Sequence, residues 1–200
     1  MKKLLISGLL FSGLSVSAVA ATDAELSFYF GPSIEQFGAI EDLGSPSMST
    51  NFEFNYYFKP MHGLGIAWGN EFDFEGTSKT PGVKDGSMHT WDLHYSFRYR
   101  PEASRWQFVF SPGIGVQTLY DEYRDYYWGY FYYDDLSTAW IVNYKAMVQY
   151  MISDWDSGGN ERTFFVGAGI TQIFSANDEL NGRDISGSRL SGLVQLGVGF

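Results

Sequence analysis

His94 and Ser96 form an H-x-S pair, a spacing that could support nucleophilic chemistry. Alternate residues of a β-strand point to the same face, so the two side chains would lie together if this segment is a strand. Glu71 and Asp92 are carboxylates that could orient the imidazole. A serine activated by an oriented histidine can attack an acyl group, so this set is a candidate for acyl transfer or hydrolysis.

A second candidate set precedes the first along the chain. Asp85, Ser87 and His89 occur within five residues of one another, in a segment predicted as a long loop. His62 falls in a short turn, no two histidines stand at the spacing of metal ligands, and the chain contains no cysteine. We therefore expect neither a metal site nor a cofactor, and the two serine sets are the only nucleophile candidates.

The segment from Tyr120 to Tyr133 is dominated by aromatic residues, which occupy nine of its fourteen positions. One interpretation is that two strands extend past a membrane and their rings form part of an aromatic girdle. The other is a binding surface, because Tyr and Trp provide large contact areas at low entropic cost and stack on sugars. Both interpretations stay open, and the binding candidates are Tyr126, Tyr127, Trp128, Tyr130, Phe131 and Tyr132.

Strands must position all of these residues, because apolar and polar residues alternate through most of the chain. In the last strand Phe200, Val198 and Leu196 share one face, whereas Gly199 and Gln195 lie on the other. The same pattern predicts eight strands over residues 24–37, 50–58, 63–75, 89–100, 105–119, 136–152, 163–174 and 188–200. The predicted fold is all-β, an eight-stranded antiparallel transmembrane up-and-down barrel. A periplasmic β-sandwich is the rival.

The connections between these strands alternate in length. Residues 40–49, 76–88, 120–135 and 175–187 form long polar segments, whereas 59–62 and 101–104 are tight and 154–161 is somewhat longer. Outer-membrane barrels have long extracellular loops and short periplasmic turns. The even number of strands then places both termini on the periplasmic side.

Many residues of inward parity are charged, which predicts an interior held by ion pairs. The predicted interior polar cluster contains Glu35, Glu71, Asp92, Arg98, Lys145 and Arg189. We expect Glu35 and Arg189 to approach each other where the first and last strands close the barrel, and Lys145 to lie level with Glu71 and Asp92. A lumen filled by such pairs is favoured over a continuous ion or proton path, because eight strands leave little room for water.

The N-terminal residues have the pattern of a secretory signal peptide. Lys2 and Lys3 precede an apolar stretch from Leu4 to Val16, and Ala18-Val19-Ala20 is an A-x-A cleavage site. The expected domains are residues 1–20, the signal peptide, and 21–200, the barrel, with cleavage after Ala21 an alternative. Removal of the two lysines changes the net charge from −10 to −12, which argues against a nucleic-acid partner.

Residues 21–200 resemble the small eight-stranded outer-membrane barrels of the OmpA/OmpX kind. The resemblance covers the signal peptide, the strand number, the asymmetry of the loops and the terminal aromatic Phe200. It implies a location in the outer membrane of a Gram-negative bacterium, contact with lipid and lipopolysaccharide, and recognition of Phe200 by the barrel-assembly machinery. That family includes adhesins, structural barrels and lipid-modifying enzymes, so the fold does not choose a function.

Two enzyme families of the outer membrane bear on the serine sets. Some lipid A deacylases carry a His-x-Ser pair and an acid at the lipid-facing surface, whereas the parity of His94 and Ser96 points inward. The loop residues Asp85, Ser87 and His89 resemble those of palmitoyl-transferring barrels, although the surrounding sequence does not match.

Three functional hypotheses follow. The first is a non-enzymatic barrel with a structural or surface-interaction role, whose aromatic third loop contacts lipopolysaccharide, an extracellular glycan or a protein. The second is a lipid A-modifying acyl hydrolase or acyltransferase, and the third is a narrow channel for small solutes.

Overall fold

A computed structural model describes residues 24–38, 47–73, 86–124, 131–157, 160–176, 179–180, 183–184 and 186–200. The strands are β1 Ala24–Gly38, β2 Ser47–Lys59, β3 His62–Asp73, β4 Gly86–Tyr99, β5 Trp106–Arg124, β6 Phe131–Ser157, β7 Asn160–Ala176, β8 Glu179–Leu180, β9 Arg183–Asp184 and β10 Gly187–Gly199. Strands β8 and β9 form a separate small hairpin. In these ranges no helix has the length and hydropathy of a membrane span.

The other eight strands form a closed antiparallel barrel in up-and-down order, as the sequence predicts. Strand β1 closes the barrel against β10, with Phe28 opposite Leu196 and Glu35 opposite Arg189. Beyond the last pair, Ala24 N donates to Phe200 O at 3.0 Å and Phe200 N donates to Ala24 O at 2.9 Å. We call the barrel end with these two residues the terminal end and the opposite end the loop end.

The outward face of the barrel is a belt of exposed apolar side chains, and it ends abruptly near the loop end. Phe52, Trp68, Trp91, Val116 and Trp140 are successive register partners across β2 to β6. Two residues nearer the loop end, the register partners on the same strands are all polar: Thr50, Asn70, His89, Thr118 and Thr138. The exterior therefore changes from aromatic to polar along one row.

The height of the belt fits a bilayer. On β6 it extends from Trp140, which is 70 % exposed, to Tyr150, whose ring contacts Trp106 at 4.9 Å between centroids. The ten residue-to-residue steps from Trp140 to Tyr150 span about 33 Å along a strand, or about 25 Å along the barrel axis at a tilt of roughly 40°. An outward apolar band about 25 Å tall, flanked by aromatic residues, is typical of barrels that span a membrane.

Strand β6 is much longer than the sequence predicts, because both of its hairpins continue past the belt. It has 27 residues, and its pairing with β5 continues to Arg124 opposite Phe131. Its pairing with β7 continues to Ser157 opposite Asn160, so most of the predicted 154–161 connection is paired strand. The extension toward β5 is rich in Tyr and Phe, which favour strands. The extension toward β7 is followed by Gly158-Gly159, a sequence typical of two-residue hairpin connections.

Arginine substitutions on the outward face can test whether the belt contacts lipid. Ile170 is exposed near the middle of the belt, whereas Thr138 is exposed in the polar row. Ile170→Arg should lower the free energy of unfolding in lipid vesicles by about 2–4 kcal/mol and Thr138→Arg by about 0–1 kcal/mol, because the cost of a charge depends on its depth. Equal losses in denaturant titrations would contradict this placement.

Candidate functional site

The barrel interior has a polar wall, formed by β1 to β4, and an apolar wall, formed by β5, β6, β7 and β10. The described interior carboxylates and Arg98 lie on the polar wall, whereas the apolar wall carries most of the large apolar side chains, together with Lys145, Arg189 and several buried amides and hydroxyls. The apolar residues include Val109, Ile141, Met147, Met151, Phe165 and Leu193. Tyr29, Val109, Met147 and Leu193 pack together as a buried apolar cluster. The interior carboxylates therefore lie on one side of the lumen, and apolar side chains fill much of the other.

Near the terminal end, the polar wall is organised around Glu25. Its Oε1 accepts from Arg98 Nη1 at 2.8 Å and from Gln107 at 3.3 Å, and its Oε2 accepts from the Tyr57 hydroxyl at 3.2 Å. Arg98 also donates from Nε to Pro60 O at 2.8 Å. Its guanidinium lies 3.6 Å from the centroid of the Tyr57 ring. This cluster joins the interior to the β2–β3 turn.

Glu25 was not among the predicted interior residues, although the sequence carries a signal for it. Glu25 has the same parity as Glu35, which was predicted to lie in the interior. Its side chain is 2 % exposed. Arg98, a member of the predicted cluster, has Glu25 as its carboxylate partner.

The middle of the polar wall is a second network, centred on Glu53. Lys145 Nζ forms an ion pair with Glu53 Oε2, and Asn55 Nδ2 donates to Glu53 Oε1 at 2.5 Å. His94 lies beside them, with Nε2 2.9 Å from Asn55 Oδ1 and Nδ1 2.6 Å from Asp92 Oδ1. Every member of this network comes from β2, β4 or β6.

This arrangement adds a partner for Lys145 that the sequence pattern did not predict. The Lys145 ammonium was expected level with Glu71 and Asp92; Asp92 lines the same cavity, but the carboxylate that pairs with Lys145 is Glu53. Glu71 instead pairs with Arg189, Nη1 to Oε2, at 3.3 Å. Because register fixes which inward residues share a level, an error of a few residues in the assumed stagger between strands was enough to exchange these partners.

Arg189 belongs to a third cluster, near the loop end. Besides Glu71 it contacts Gln117 Oε1 and Met88 Sδ. Its backbone is paired with that of Glu35, as expected at the seam, and the side chain of Glu35 lies outside the described part of the structure. The Arg189 side chain is 11 % exposed, so this cluster is largely shielded from water.

His94 and Ser96 do not form a catalytic pair in this geometry. Both are buried in the interior, at 3 % and 0 % exposure. The two ring nitrogens of His94 face Asp92 and Asn55, whereas the Ser96 hydroxyl lies 3.1 Å from the Tyr57 hydroxyl and accepts from Ser111 at 3.3 Å. Among the described side chains no base is therefore placed to take the Ser96 proton, and the lipid-facing surface is on the other side of the wall.

The second serine set is divided between regions. His89 lies on β4 rather than in a loop, on the outward face, where its ring centroid is 6.4 Å from that of Trp68. Ser87 is also on β4, but its side chain and all of Asp85 lie outside the described part. In the described ranges, no group of three His, Asp or Glu side chains could hold a metal ion.

A small cavity of about 30 Å³ lies in the middle of the lumen. Its lining includes Glu53, Asp92, His94 and Lys145 from the central network, with Leu193 from the apolar wall. A cavity of this volume has room for only one or two water molecules.

Two of the six aromatic binding candidates begin β6, and the other four belong to the segment that joins β5 to β6. Phe131 and Tyr132 are on β6, where their backbones pair with Arg124 and Tyr123. Tyr126, Tyr127, Trp128 and Tyr130 lie outside the described residues, as do the side chains of Phe131 and Tyr132. The backbone pairing brings this segment beyond the outer end of the apolar belt.

No protein-family model and no curated protein matches the chain. Among solved structures, Neisserial surface protein A matches with a TM-score of 0.62 and 9 % sequence identity, over 88 % of this chain and 96 % of the other. The N-terminal β-barrel domain of Pseudomonas aeruginosa OprF matches with a TM-score of 0.50 and 13 % identity, over 90 % and 98 %. At these identities the likeness shows the fold, which is that of the small eight-stranded outer-membrane barrels.

The central ion pair provides a test of the interior. Lys145→Met should lower the free energy of unfolding in detergent by about 3 kcal/mol or more, because it leaves a buried Glu53 carboxylate without its cation. Adding Glu53→Gln should recover much of that loss, since the remaining amide needs no counter-charge and can still bond Asn55. Additive losses in this double-mutant cycle, measured by denaturant unfolding, would contradict the assigned pairing.

Proposed function

We propose that the protein is an outer-membrane β-barrel with a non-enzymatic, structural or surface-interaction role, and that the β5–β6 hairpin is its contact element. The observation that carries the proposal is the ladder between β5 and β6, which continues to Arg124 and Phe131. Phe131 is nine residues beyond Trp140, or about 30 Å along the strand. A paired hairpin of this length would hold the aromatic segment well above a membrane surface.

The membrane location is supported by the fold and by the outward belt. An exterior of this size covered with exposed Phe, Trp, Leu, Ile and Val is unfavourable in water and suits lipid. Residues 1–20 would direct export, both termini would be periplasmic, and Phe200 would be presented to the barrel-assembly machinery of a Gram-negative bacterium. The loop end, with the β5–β6 hairpin, would then face the outside of the cell.

The ligand class follows from the composition of the hairpin tip. The tip carries Tyr126, Tyr127, Trp128, Tyr130, Phe131 and Tyr132. Aromatic rings stack on sugar faces and act as hot spots in protein contacts, so an extracellular glycan, lipopolysaccharide or a protein surface is the partner this segment suits. The segment also carries a surplus of acids over bases, which disfavours strongly anionic partners unless divalent cations intervene.

The enzymatic and channel hypotheses have less support from the interior. The hydroxyl of Ser96 is bonded to Tyr57 and Ser111 rather than to a base. The three ion-paired clusters and the apolar wall fill the lumen around the small cavity described above. This packing favours an interior that stabilises the barrel over one that conducts solutes.

Single cysteine substitutions can test which end of the barrel faces the cell exterior, because the chain has no cysteine of its own. We expect Gly129→Cys, at the tip of the β5–β6 hairpin, to react with a membrane-impermeant maleimide on intact cells. Gly158→Cys, at the tip of the β6–β7 hairpin, is the matched control and should react only after the outer membrane is permeabilised. The reverse pattern would show that the barrel is inserted the other way round.

Substitution of the tip rings tests the proposed contact. Cells producing the protein would be applied to a glycan array and to lipopolysaccharide-coated surfaces, with Tyr126, Tyr127, Trp128 and Tyr130 replaced together by Ser. Loss of several hot-spot rings should weaken binding by at least tenfold, because each contributes about 2 kcal/mol or more.

A matched variant with Ala at positions 77–80, in the neighbouring long segment, should bind like the natural protein. Unchanged binding by the aromatic variant would contradict the assigned contact. A change in lipid A mass that requires Ser96 or Ser87, seen in Ser→Ala variants, would instead establish the enzymatic alternative.

A further inference from the structure

The outward polar row, which extends from Thr138 on β6 to Thr50 on β2, does not stay at one height on the barrel. Register partners followed from Trp140 through the eight strands return to β6 at Tyr150, ten residues nearer the terminal end. At a strand tilt of roughly 40°, each step from β6 toward β2 therefore descends by about 3 Å. The row starts about 5 Å above Trp140 at Thr138 and reaches a height about 7 Å below Trp140 at Thr50. Its last members lie inside the apolar belt.

Apolar residues flank this end of the row on both sides. On β2, Thr50 lies between Phe52, which is exposed, and Met48, which is half-exposed. On β3, Asn70 is the next outward residue after Trp68, and the rings of Phe52 and Trp68 contact each other at 5.8 Å between centroids. Thr50 and Asn70 are register partners. These two residues form a polar inclusion in a surface that otherwise suits acyl chains.

The amide of Asn70 has an unmet hydrogen-bonding requirement. The side chain is half-exposed, but its Oδ1 is enclosed and accepts no hydrogen bond from the described residues. The Thr50 hydroxyl donates to the backbone O of Asn70 at 3.5 Å and not to this amide oxygen. A buried acceptor without a donor is costly, and hydrocarbon chains have no donor to offer. Rotation of the amide toward the surface satisfies the oxygen only where the surrounding lipid carries an N–H or O–H group.

This requirement distinguishes between classes of lipid. At the depth of the acyl linkages, an ester-linked phospholipid offers only carbonyl acceptors, whereas a lipid with amide-linked, hydroxylated acyl chains offers N–H and O–H donors. The Thr50 hydroxyl can donate to such a lipid or accept from it. None of the five residues of the polar row is Lys or Arg, so the row has no cation that would select for phosphate.

We propose that the polar inclusion of Thr50 and Asn70, beside the rings of Phe52 and Trp68, binds one outer-leaflet lipid through the amide and hydroxyl groups that join its acyl chains to its headgroup. The lipid A part of lipopolysaccharide has this chemistry. The two rings contact the acyl chains, the Asn70 amide turns outward to accept from an N–H or O–H of the lipid, and the Thr50 hydroxyl completes the contact. This site rests on the proposed orientation, with the loop end at the outer leaflet, and it is separate from the tip of the β5–β6 hairpin.

The terminal half of the same two strands provides a matched comparison. Its outward residues include Phe54, Tyr56, Leu64 and Ile66, which are all exposed. The Tyr56 hydroxyl is the one polar side-chain group among these four. Tyr56→Phe therefore removes a hydroxyl from the outward face of β2 without touching the proposed site.

Competition between two lipids tests the site. The purified barrel in detergent would receive equal amounts of lipid A and of an ester-linked phosphatidylglycerol, and native mass spectrometry would count the lipids that it retains. Both lipids carry phosphate, so phosphate alone does not produce a preference. We expect the natural protein to prefer lipid A and the Thr50→Val, Asn70→Leu double variant to retain about tenfold less of it, because the hydrogen-bonding groups are lost. Tyr56→Phe should retain lipid A like the natural protein.

The variants also separate this site from the contact proposed for the hairpin. Val and Leu suit a lipid-facing position, so the double variant should fold, and the two single variants give a second measurement with smaller losses. A natural protein without preference for lipid A overturns the proposal, as does a double variant that retains lipid A fully or an equal loss in Tyr56→Phe. The variant with four tip rings replaced by Ser should retain lipid A. If that variant alone loses it, the site proposed here is wrong and the hairpin contact stands.

Discussion

The closure of the backbone ladder between β1 and β10 is the constraint on which the rest of the structure depends. In a hydrocarbon environment an unpaired N–H or C=O group costs several kcal/mol, so an open sheet with free edges is not a viable span. The reciprocal hydrogen bonds between Ala24 and Phe200 complete the seam at one end, and the pairing of Glu35 with Arg189 continues it toward the other. Once the ladder is closed, side chains of one parity face outward and those of the other parity enter a narrow lumen. The belt and the interior networks are both consequences of that division.

A narrow lumen determines what its charges can do. With apolar side chains from Val109, Met147 and Leu193 occupying one wall, each charge on the other wall must find its counter-charge at close range. Glu25 pairs with Arg98, Glu53 with Lys145 and Glu71 with Arg189, one pair in each of the three clusters. Asp92 has His94 as its partner.

The sequence predicts the strand number, the parity of each strand and the closed fold, because alternation directly reports which face each residue occupies. It does not predict the stagger between strands, which depends on pairing across the whole barrel, and for that reason Glu53 was missed as the partner of Lys145 and Arg189 as the partner of Glu71. The hairpin ends were missed for a different reason. Polar residues such as Asp154 and Asp156 resemble a loop when hydropathy is the guide, whereas the Gly-Gly turn that follows them is a strand-pairing signal. The contacts between His94 and Asn55 were out of reach, as the ion-pair partners were, because the two residues come from different strands.

The length of β6 connects the membrane, the hairpins and the proposed contact. A strand needs about ten residues to cross the apolar belt, and β6 has 27, so more than half of it lies outside the hydrocarbon. At the loop end, β5 pairs with β4 only as far as Asp121, so beyond that residue β5 and β6 pair with each other alone. At the terminal end, β7 pairs with β10 only from Thr163, so residues 160–162 pair with β6 alone. Each extension is therefore a two-stranded ribbon, which has little stability of its own and must rely on the barrel as its base. The ladder through Arg124 and Phe131 gives the aromatic segment a defined direction of exit from the barrel. Because the ribbon is anchored by a closed and internally ion-paired barrel, substitutions in the segment that it carries need not disturb the membrane span. Such a separation between scaffold and contact surface suits the proposed surface-interaction role.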